Sequence, residues 1–337
     1  GSVNGFVVNA PGSTGQANVA FGKDSTANMG STKIDGGGVN GAAINTPVGK
    51  FQANAALGDG STANLGSTDL KDGSVDGFAL NVPGGMGQAN VAFGKDSIAN
   101  MGSTKIDGGS VDGTVVNTPL GKFQVNAALG DGSTANLGST DIKGGKINGT
   151  VLNTPIGIIG QANVALGDGS TANMGSTEIK GGKINGIVLN APVGVGQINA
   201  ALGDGSTANM GSTKLDGGSV NGIVINTPIG VGQANAALGK GSTANMGSTD
   251  LKDSKMYDFV LNLPVAALNI NIAGKENSKA NLGSLSMENS RLIGSVVNIA
   301  GGPIVTNAAL GKNSKANLSS VNLENSRMTG SVTNMAA

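Results

Sequence analysis

The residue types that carry most enzyme chemistry are scarce in this sequence. Its 337 residues include no Cys and no His, so it offers no thiolate nucleophile, no imidazole base and no ordinary zinc, haem or iron–sulfur ligand. Serine is frequent, but a serine nucleophile needs an adjacent base, and no Lys column persists beside a Ser column. We therefore predict that the protein is not an enzyme, and we expect no catalytic residue and no cofactor.

Two recurring motifs suggest ligand binding. Asp59-Gly-Ser, Asp131-Gly-Ser, Asp168-Gly-Ser and Asp204-Gly-Ser resemble fragments of calcium loops. Calcium needs six or more oxygen ligands, whereas each of these copies supplies one Asp and copies one, three and seven have Lys at that position. We therefore interpret the motif as a turn and expect no metal.

A Ser-Thr pair recurs over seven copies and could form a flat hydroxyl array of the kind that binds ice. The alternative is a solvated or hydrogen-bonded ladder, which β-branched Thr favours. The pairs are Ser31-Thr32, Ser67-Thr68, Ser103-Thr104, Ser139-Thr140, Ser176-Thr177, Ser212-Thr213 and Ser248-Thr249.

Composition limits the partners. The formal net charge is zero and no basic run occurs, which argues against nucleic acid. No window approaches the roughly 18–20 apolar residues of a membrane helix. The sequence opens at Gly1-Ser2 without an apolar leader, so we expect that any signal peptide has been removed or was never there.

These residues are positioned by a 36-residue tandem repeat, present nine times with one 37-residue spacing between Asn153 and Asn190. Three asparagine columns define it, and no copy lacks a member. The first column is Asn9, Asn45, Asn81, Asn117, Asn153, Asn190, Asn226, Asn262, Asn298 and, in a partial tenth copy, Asn334. The second is Asn18, Asn54, Asn90, Asn126, Asn163, Asn199, Asn235, Asn271 and Asn307. The third is Asn28, Asn64, Asn100, Asn136, Asn173, Asn209, Asn245, Asn281 and Asn317.

Within a copy, Gly and Pro punctuation separates three extended segments, for example Val220–Asn226, Gln233–Leu238 and Thr243–Leu251. Three apolar columns predict the core. The first runs Val8, Ile44, Leu80, Val116, Leu152, Leu189, Ile225, Leu261 and Val297. The second runs Ile34, Leu70, Ile106, Ile142, Ile179, Leu215, Leu251, Met287 and Leu323. The third runs Met29, Leu65, Met101, Leu137, Met174, Met210, Met246, Leu282 and Leu318.

A repeat this short cannot bury its own apolar face, so the copies must stack. We predict an all-β solenoid or cross-β stack with equivalent strands in register and the three Asn columns as structural ladders. We favour one layer per repeat over two coils per copy, because the three Asn columns do not divide a copy into two matching halves. The charge columns agree, because the sign alternates from copy to copy with few lapses. One column reads Lys33, Asp69, Lys105, Asp141, Glu178, Lys214 and Asp250, in which the step from Asp141 to Glu178 is a lapse. The stack divides into seven near-identical repeats (1–257) and two divergent, more charged repeats with a partial tenth strand (258–337).

The segment Gln161-Ala-Asn163-Val-Ala-Leu-Gly167, followed by Ala172-Asn173, resembles the repeats of bacterial functional amyloids, both curlin-like and Fap-type fibre subunits. The resemblance implies a secreted subunit that stacks into extracellular fibres of the biofilm matrix, with itself as main partner and a nucleator or secretion protein as a possible second. Fap-type subunits carry long linkers and a Cys pair that this chain lacks. A weaker similarity, through Ala165-Leu-Gly-Asp-Gly-Ser170, is to the β-roll heads of trimeric surface adhesins.

We therefore predict a structural subunit of a self-assembling, amyloid-like extracellular fibre that stacks head to tail. The alternative is a monomeric solenoid that acts as a surface adhesin or binds a ligand or ice. The two divergent repeats would cap the stack in the second case and form a docking edge in the first.

Overall fold

The chain folds as a β-solenoid of about nine turns, and each 36-residue repeat forms one coil of the stack. A computed structural model describes residues 2–336, and no helix occurs among them. Equivalent strands of successive coils pair in parallel and in register, for example Asn81 with Asn117 and Asn117 with Asn153. The prediction of an all-β stack with one layer per repeat is confirmed.

Each full coil contributes one strand to each of four parallel sheets. Sheet A contains β1 (Ser2–Asn9), β5 (Gly38–Asn45), β9 (Ser74–Asn81), β13 (Ser110–Asn117), β17 (Lys146–Asn153), β21 (Lys183–Asn190), β25 (Ser219–Asn226), β29 (Lys255–Asn262), β33 (Arg291–Ala300), β37 (Arg327–Thr329) and β38 (Val332–Ala336). Sheet B contains β2 (Gly12–Phe21), β6 (Val48–Leu57), β10 (Gly84–Phe93), β14 (Leu120–Leu129), β18 (Ile156–Leu166), β22 (Val193–Leu202), β26 (Ile229–Leu238), β30 (Val265–Gly274) and β34 (Ile304–Ala309).

The other two sheets have strands of four residues. Sheet C contains β3 (Thr26–Met29), β7 (Thr62–Leu65), β11 (Ile98–Met101), β15 (Thr134–Leu137), β19 (Thr171–Met174), β23 (Thr207–Met210), β27 (Thr243–Met246), β31 (Lys279–Leu282) and β35 (Lys315–Leu318). Sheet D contains β4 (Thr32–Asp35), β8 (Thr68–Lys71), β12 (Thr104–Asp107), β16 (Thr140–Lys143), β20 (Thr177–Lys180), β24 (Thr213–Asp216), β28 (Thr249–Lys252), β32 (Leu285–Glu288) and β36 (Val321–Glu324).

The prediction of three extended segments per copy is wrong, because the third segment, Thr243–Leu251, is two strands. The chain turns at Gly247, whose φ of 54° lies in the left-handed region. A Cβ there would lie 2.8 Å from Cδ of Pro264. Glycine thus lets the corner between sheets C and D close against the proline of the neighbouring corner.

The core has three parts, each continuous along the stack. Sheets A and D enclose a column mainly of Ile, Val, Leu and Met side chains, with Ala43 and Ala79 in two early coils, and sheets B and C enclose a column made of Ala alone. The Met and Leu side chains of sheet C form the third part. Burying each large apolar side chain contributes roughly 1.5–3 kcal/mol, so stability grows with each coil that is added.

Two of the three predicted apolar columns lie in this core, as Leu70 and Leu65 illustrate at 0 % exposure. The column that contains Leu152 does not. Leu152 is only half-buried, whereas its neighbours Val151 and Asn153 are fully buried. Successive side chains of a strand point to opposite faces, so the inward residue is Val151 and the prediction for this column was wrong by one position.

Candidate functional site

The first asparagine column forms a continuous buried ladder in sheet A. Each Nδ2 donates to Oδ1 of the next coil at 2.8–2.9 Å, from Asn9 through to Asn334. In the interior coils these side chains are 0 % exposed. Because a buried amide without partners is costly, each coil depends on the coils on both sides of it.

The second and third columns form two further ladders with opposite directions of donation. In sheet B each Asn donates towards the C-terminal end of the stack, as Asn126 does to Asn163 at 2.9 Å. In sheet C each Asn donates towards the N-terminal end, as Asn173 does to Asn136 at 3.0 Å. Asn163 also donates to the carbonyl of Ala135 at 3.0 Å, which ties sheet B to sheet C.

The Ser-Thr pairs face the interior. Thr140 is 1 % exposed and its hydroxyl donates to Oδ1 of Asn153 at 2.9 Å, while it accepts from Nδ2 of Asn117 at 3.0 Å. Ser139 is 1 % exposed and its hydroxyl donates to the carbonyl of Asn173 at 2.9 Å. The Thr hydroxyl therefore braces the first Asn ladder from its side, and the Ser hydroxyl bonds to the main chain of sheet C in the next coil. The pairs provide no flat exposed array, and the ice-binding alternative loses the face on which it rested.

The Asp-Gly-Ser segments are turns between sheets B and C. Ser133 is fully buried and donates to the carbonyl of Ala128 at 3.1 Å. The carboxylate of exposed Asp131 accepts the main-chain N–H of Asp168 in the next coil at 3.1 Å. No group of three or more His, Cys, Asp or Glu side chains able to hold a metal ion occurs within residues 2–336.

A glutamine column adds a fourth ladder, whose side-chain amides lie 2.8–3.3 Å apart from Gln16 to Gln233. Its signal was the same 36-residue spacing that defines the Asn columns. Asn269 replaces Gln in the eighth coil and its amide donates to the carbonyl of Gly301 instead. The ladder therefore runs through the first seven repeats only.

The charge columns of sheet D stack in register, as the alternation predicted: Lys33 pairs with Asp69 and Lys214 with Asp250. Within the part of the chain that the structure describes, the close ion pairs of these columns both involve Glu178, whose Oε1 lies 3.2 Å from Nζ of Lys180 and 3.6 Å from Nζ of Lys214.

The alternation of charge is interrupted where two acidic residues stack, and this raises the pKa of one of them. Asp141 stacks directly on Glu178, and burial together with the Glu178 carboxylate raises the pKa of Asp141 to about 6. Glu178 is itself 4 % exposed. Although burial opposes it, the pKa of Glu178 is lowered by Lys214 and Lys180 and by a hydrogen bond from Asn173.

Comparisons of this chain with protein-family models, with curated proteins and with solved structures give no match. No helix of residues 2–336 is long and apolar enough to cross a membrane. The feature that recurs throughout residues 2–336 is the in-register contact between successive coils.

Proposed function

We propose that this protein is the structural subunit of a self-assembling, amyloid-like extracellular fibre that grows head to tail. The observation that carries the proposal is that each coil binds its two neighbours through the same set of in-register contacts. The edge that binds the coil below is complementary to the edge that binds the coil above. A contact of this kind between two copies of the chain does not close on itself, so it would propagate as a filament.

The junction between two interior coils shows what such a contact would consist of. Strand β17 pairs with β21 over eight residues, and β19 pairs with β23 over four. Side-chain ladders cross the same junction, with Asn153 donating to Asn190 at 2.9 Å and Asn209 to Asn173 at 2.9 Å. Main-chain and amide ladders together give cross-β stacks their resistance to denaturation.

Shielding of the core also depends on the neighbouring coils. Leu282 and Met287 lie between two coils and are 0 % and 1 % exposed. The equivalent Leu318 and Leu323, with a coil on one side only, are 40 % and 45 % exposed. An unpaired edge thus presents both free strand groups and apolar side chains, which favours association with another edge.

A second candidate, a monomeric solenoid that acts as a surface adhesin, is favoured by the charges of the last two repeats. There like charges stack: Lys279 lies over Lys315, and Glu288 over Glu324. Like charges directly opposite each other are destabilising, and charged edge strands oppose edge-to-edge association. This feature suits a cap.

Electron microscopy of the purified chain at neutral pH, with X-ray diffraction from aligned fibres, tests the proposal. We expect unbranched filaments with a meridional reflection at about 4.8 Å. Deleting 263–337 should abolish growth if the divergent repeats form the docking edge. Adding salt, which screens like charges, should accelerate growth. Discrete monomers at high concentration in both low and high salt would overturn the fibre proposal and favour the capped solenoid.

A further inference from the structure

The outer face of sheet B is broad and apolar. Phe51, Phe123, Val195, Ile198 and Val231 point outward from it with exposures of 51–64 %. Nine strands about 4.8 Å apart and about ten residues long at about 3.3 Å per residue give a face of roughly 43 by 33 Å. Exposed apolar surface of this extent marks an interaction site.

Charge is nearly absent from this sheet. Across the nine strands of sheet B the charged residues are Lys50 and Lys122. The outer face of sheet A differs, since its middle coils present Lys146, Asn148 and Asp112. The apolar surface is therefore a property of one face and not of the whole stack.

The face combines large side chains with gaps. In one column Phe51 and Phe123 alternate with glycines, and the Phe51 ring lies so close to Gly87 that a Cβ there would be 3.1 Å from it. A groove of about 570 Å³ between these rings is floored by Gly and Ala residues. The same column continues as Gly160, Gly196 and Gly232.

We propose that this face binds the same face of a second copy of the chain, with the two stacks antiparallel and related by a two-fold axis that runs along the strands between β14 and β18. This axis opposes the fourth coil to the fifth, the third to the sixth and the second to the seventh. Phe123 of one copy then meets Gly160 of the other, and Phe51 meets Gly232. In the adjacent column Val125 meets Ala162 and Ile198 meets Ala89, so in these two columns large residues face small ones.

The two lysines are the third residues of their strands, near one edge of the face, from where their ammonium groups can stay in water beside the interface. Lys50 and Lys122 lie in the second and fourth coils, and the axis places them opposite the seventh and fifth coils, whose residues in the same column are Val231 and Ile158. A two-fold axis along the stack would instead reverse the strands and face each lysine-bearing strand with the lysine-bearing strand of the same coil in the partner.

The size of the contact suffices for a stable dimer. Eight coils contribute to it, and their footprint is roughly 1,300 Å² on each copy from the strand spacings. A stable interface of standard size buries about 800 Å² per partner. Face-to-face packing of two aligned sheets, with interdigitated side chains, is an established way to bury such surfaces.

The pairing does not depend on head-to-tail stacking, and sedimentation analysis tests it separately. We expect the wild-type chain to form a species of twice its 32.7 kDa mass. Val125→Glu and Ala162→Lys should each weaken dimerisation at least about 100-fold, because a two-fold interface buries the new charge twice. A 1:1 mixture of the two variants should restore dimers, because the carboxylate introduced in one copy would then face the ammonium group introduced in the other.

Asn148→Glu, on the outer face of sheet A, is the matched control and should leave dimerisation unchanged. A monomeric wild-type chain, unchanged dimerisation of the charged variants, or failure of the mixture to restore dimers would overturn the proposal. A wild-type chain that stays monomeric but sediments with phosphatidylcholine vesicles would overturn it in favour of a lipid surface. Dimers without filaments would refute head-to-tail growth alone, and filaments one solenoid wide would refute the pairing alone.

Discussion

Replacing Asn153 by Ala tests whether the first Asn ladder holds the coils together. Asn153 makes five hydrogen bonds: Oδ1 accepts from Asn117 at 2.8 Å and from Thr140 at 2.9 Å, and Nδ2 donates to Asn190 at 2.9 Å, to Thr177 at 3.0 Å and to the carbonyl of Ser176 at 3.1 Å. The residue is 0 % exposed, so water cannot replace these partners without entering the core.

The magnitude follows from what the substitution leaves behind. The buried hydroxyl of Thr140 loses its acceptor, which costs about 1–3 kcal/mol, and each remaining lost hydrogen bond costs about 1 kcal/mol net. Asn117 and Asn190 keep other partners, so their two bonds are left out of the sum. The losses at Thr140 (about 2 kcal/mol) and at Thr177 and the Ser176 carbonyl (about 1 kcal/mol each) then add to about 4 kcal/mol. Asn148→Ala is the matched control, since Asn148 lies in the same strand but is exposed, and its loss should cost under about 0.5 kcal/mol.

Guanidinium unfolding followed by circular dichroism gives the difference in stability. Because a solenoid approximates a one-dimensional chain of coupled repeats, amide hydrogen exchange should accompany it. We expect the loss of protection to be largest in β17, in the neighbouring strands β13 and β21, and in the adjoining segment 176–177. If Asn153→Ala and Asn148→Ala lower the free energy of unfolding equally, strand pairing alone couples the coils and the proposed role of the buried amides is refuted.

Three further predictions concern charge and backbone strain. Asp141→Asn should raise stability at pH 7 by up to about 3 kcal/mol and have little effect near pH 4. The folded-state pKa of Asp141 is raised to about 6 against about 4 in the unfolded chain, so its charged form lowers stability as pH rises through that window. Asp258→Gly should stabilise by about 1 kcal/mol, because Asp258 has a φ of 93° in a column otherwise formed by glycine. Lys315→Glu should stabilise by about 0.2–1 kcal/mol, because it replaces repulsion from Lys279 by attraction.

Each of these has its own control. Glu178→Gln should lower stability at neutral pH, because the pKa of Glu178 is lowered by its lysine partners and its charged form therefore stabilises the fold; thermal melts between pH 4 and pH 7 compare the two variants. Gly149→Ala, in the same column as Asp258, should be strongly destabilising, because its φ is 141° and a Cβ there would meet the carbonyl oxygen of Gly113. The Lys315→Glu effect should disappear in high salt, and an effect that persists there would contradict its electrostatic origin.

The parts of the fold that follow from periodicity could be predicted from the sequence, and those that depend on local geometry could not. The 36-residue spacing of Asn117 and Asn153, together with the absence of two matching halves within a copy, was enough to favour one layer per repeat. The direction in which Leu152 points could not be predicted, because a strand with apolar residues on both faces shows no alternation that identifies its inner face. The split of the third segment needed the left-handed conformation of Gly247, which the sequence alone does not distinguish from glycine within a strand.

The orientation of the Ser and Thr hydroxyl groups could not be predicted from the sequence either. A repeated Ser-Thr pair has the same pattern whether it faces water or an internal amide ladder. The structure distinguishes the two because Thr140 points at Asn153 across the space between sheets D and A. Residues 13 positions apart in sequence meet there, and no regular spacing of a single strand indicates such a contact.

The one 37-residue repeat has a consequence for how the molecule tolerates change. The extra residue is confined to an irregularity in β18, between Gly157 and Gly160, where Ile158 and Ile159 are 61 % and 48 % exposed. By Gln161 the strand has returned to register with the coils on both sides. The strand pairing with the neighbouring coils therefore confines the extra residue to an outward bulge. An insertion in the coding sequence at this position changes one coil locally and leaves the register of the following coils unchanged.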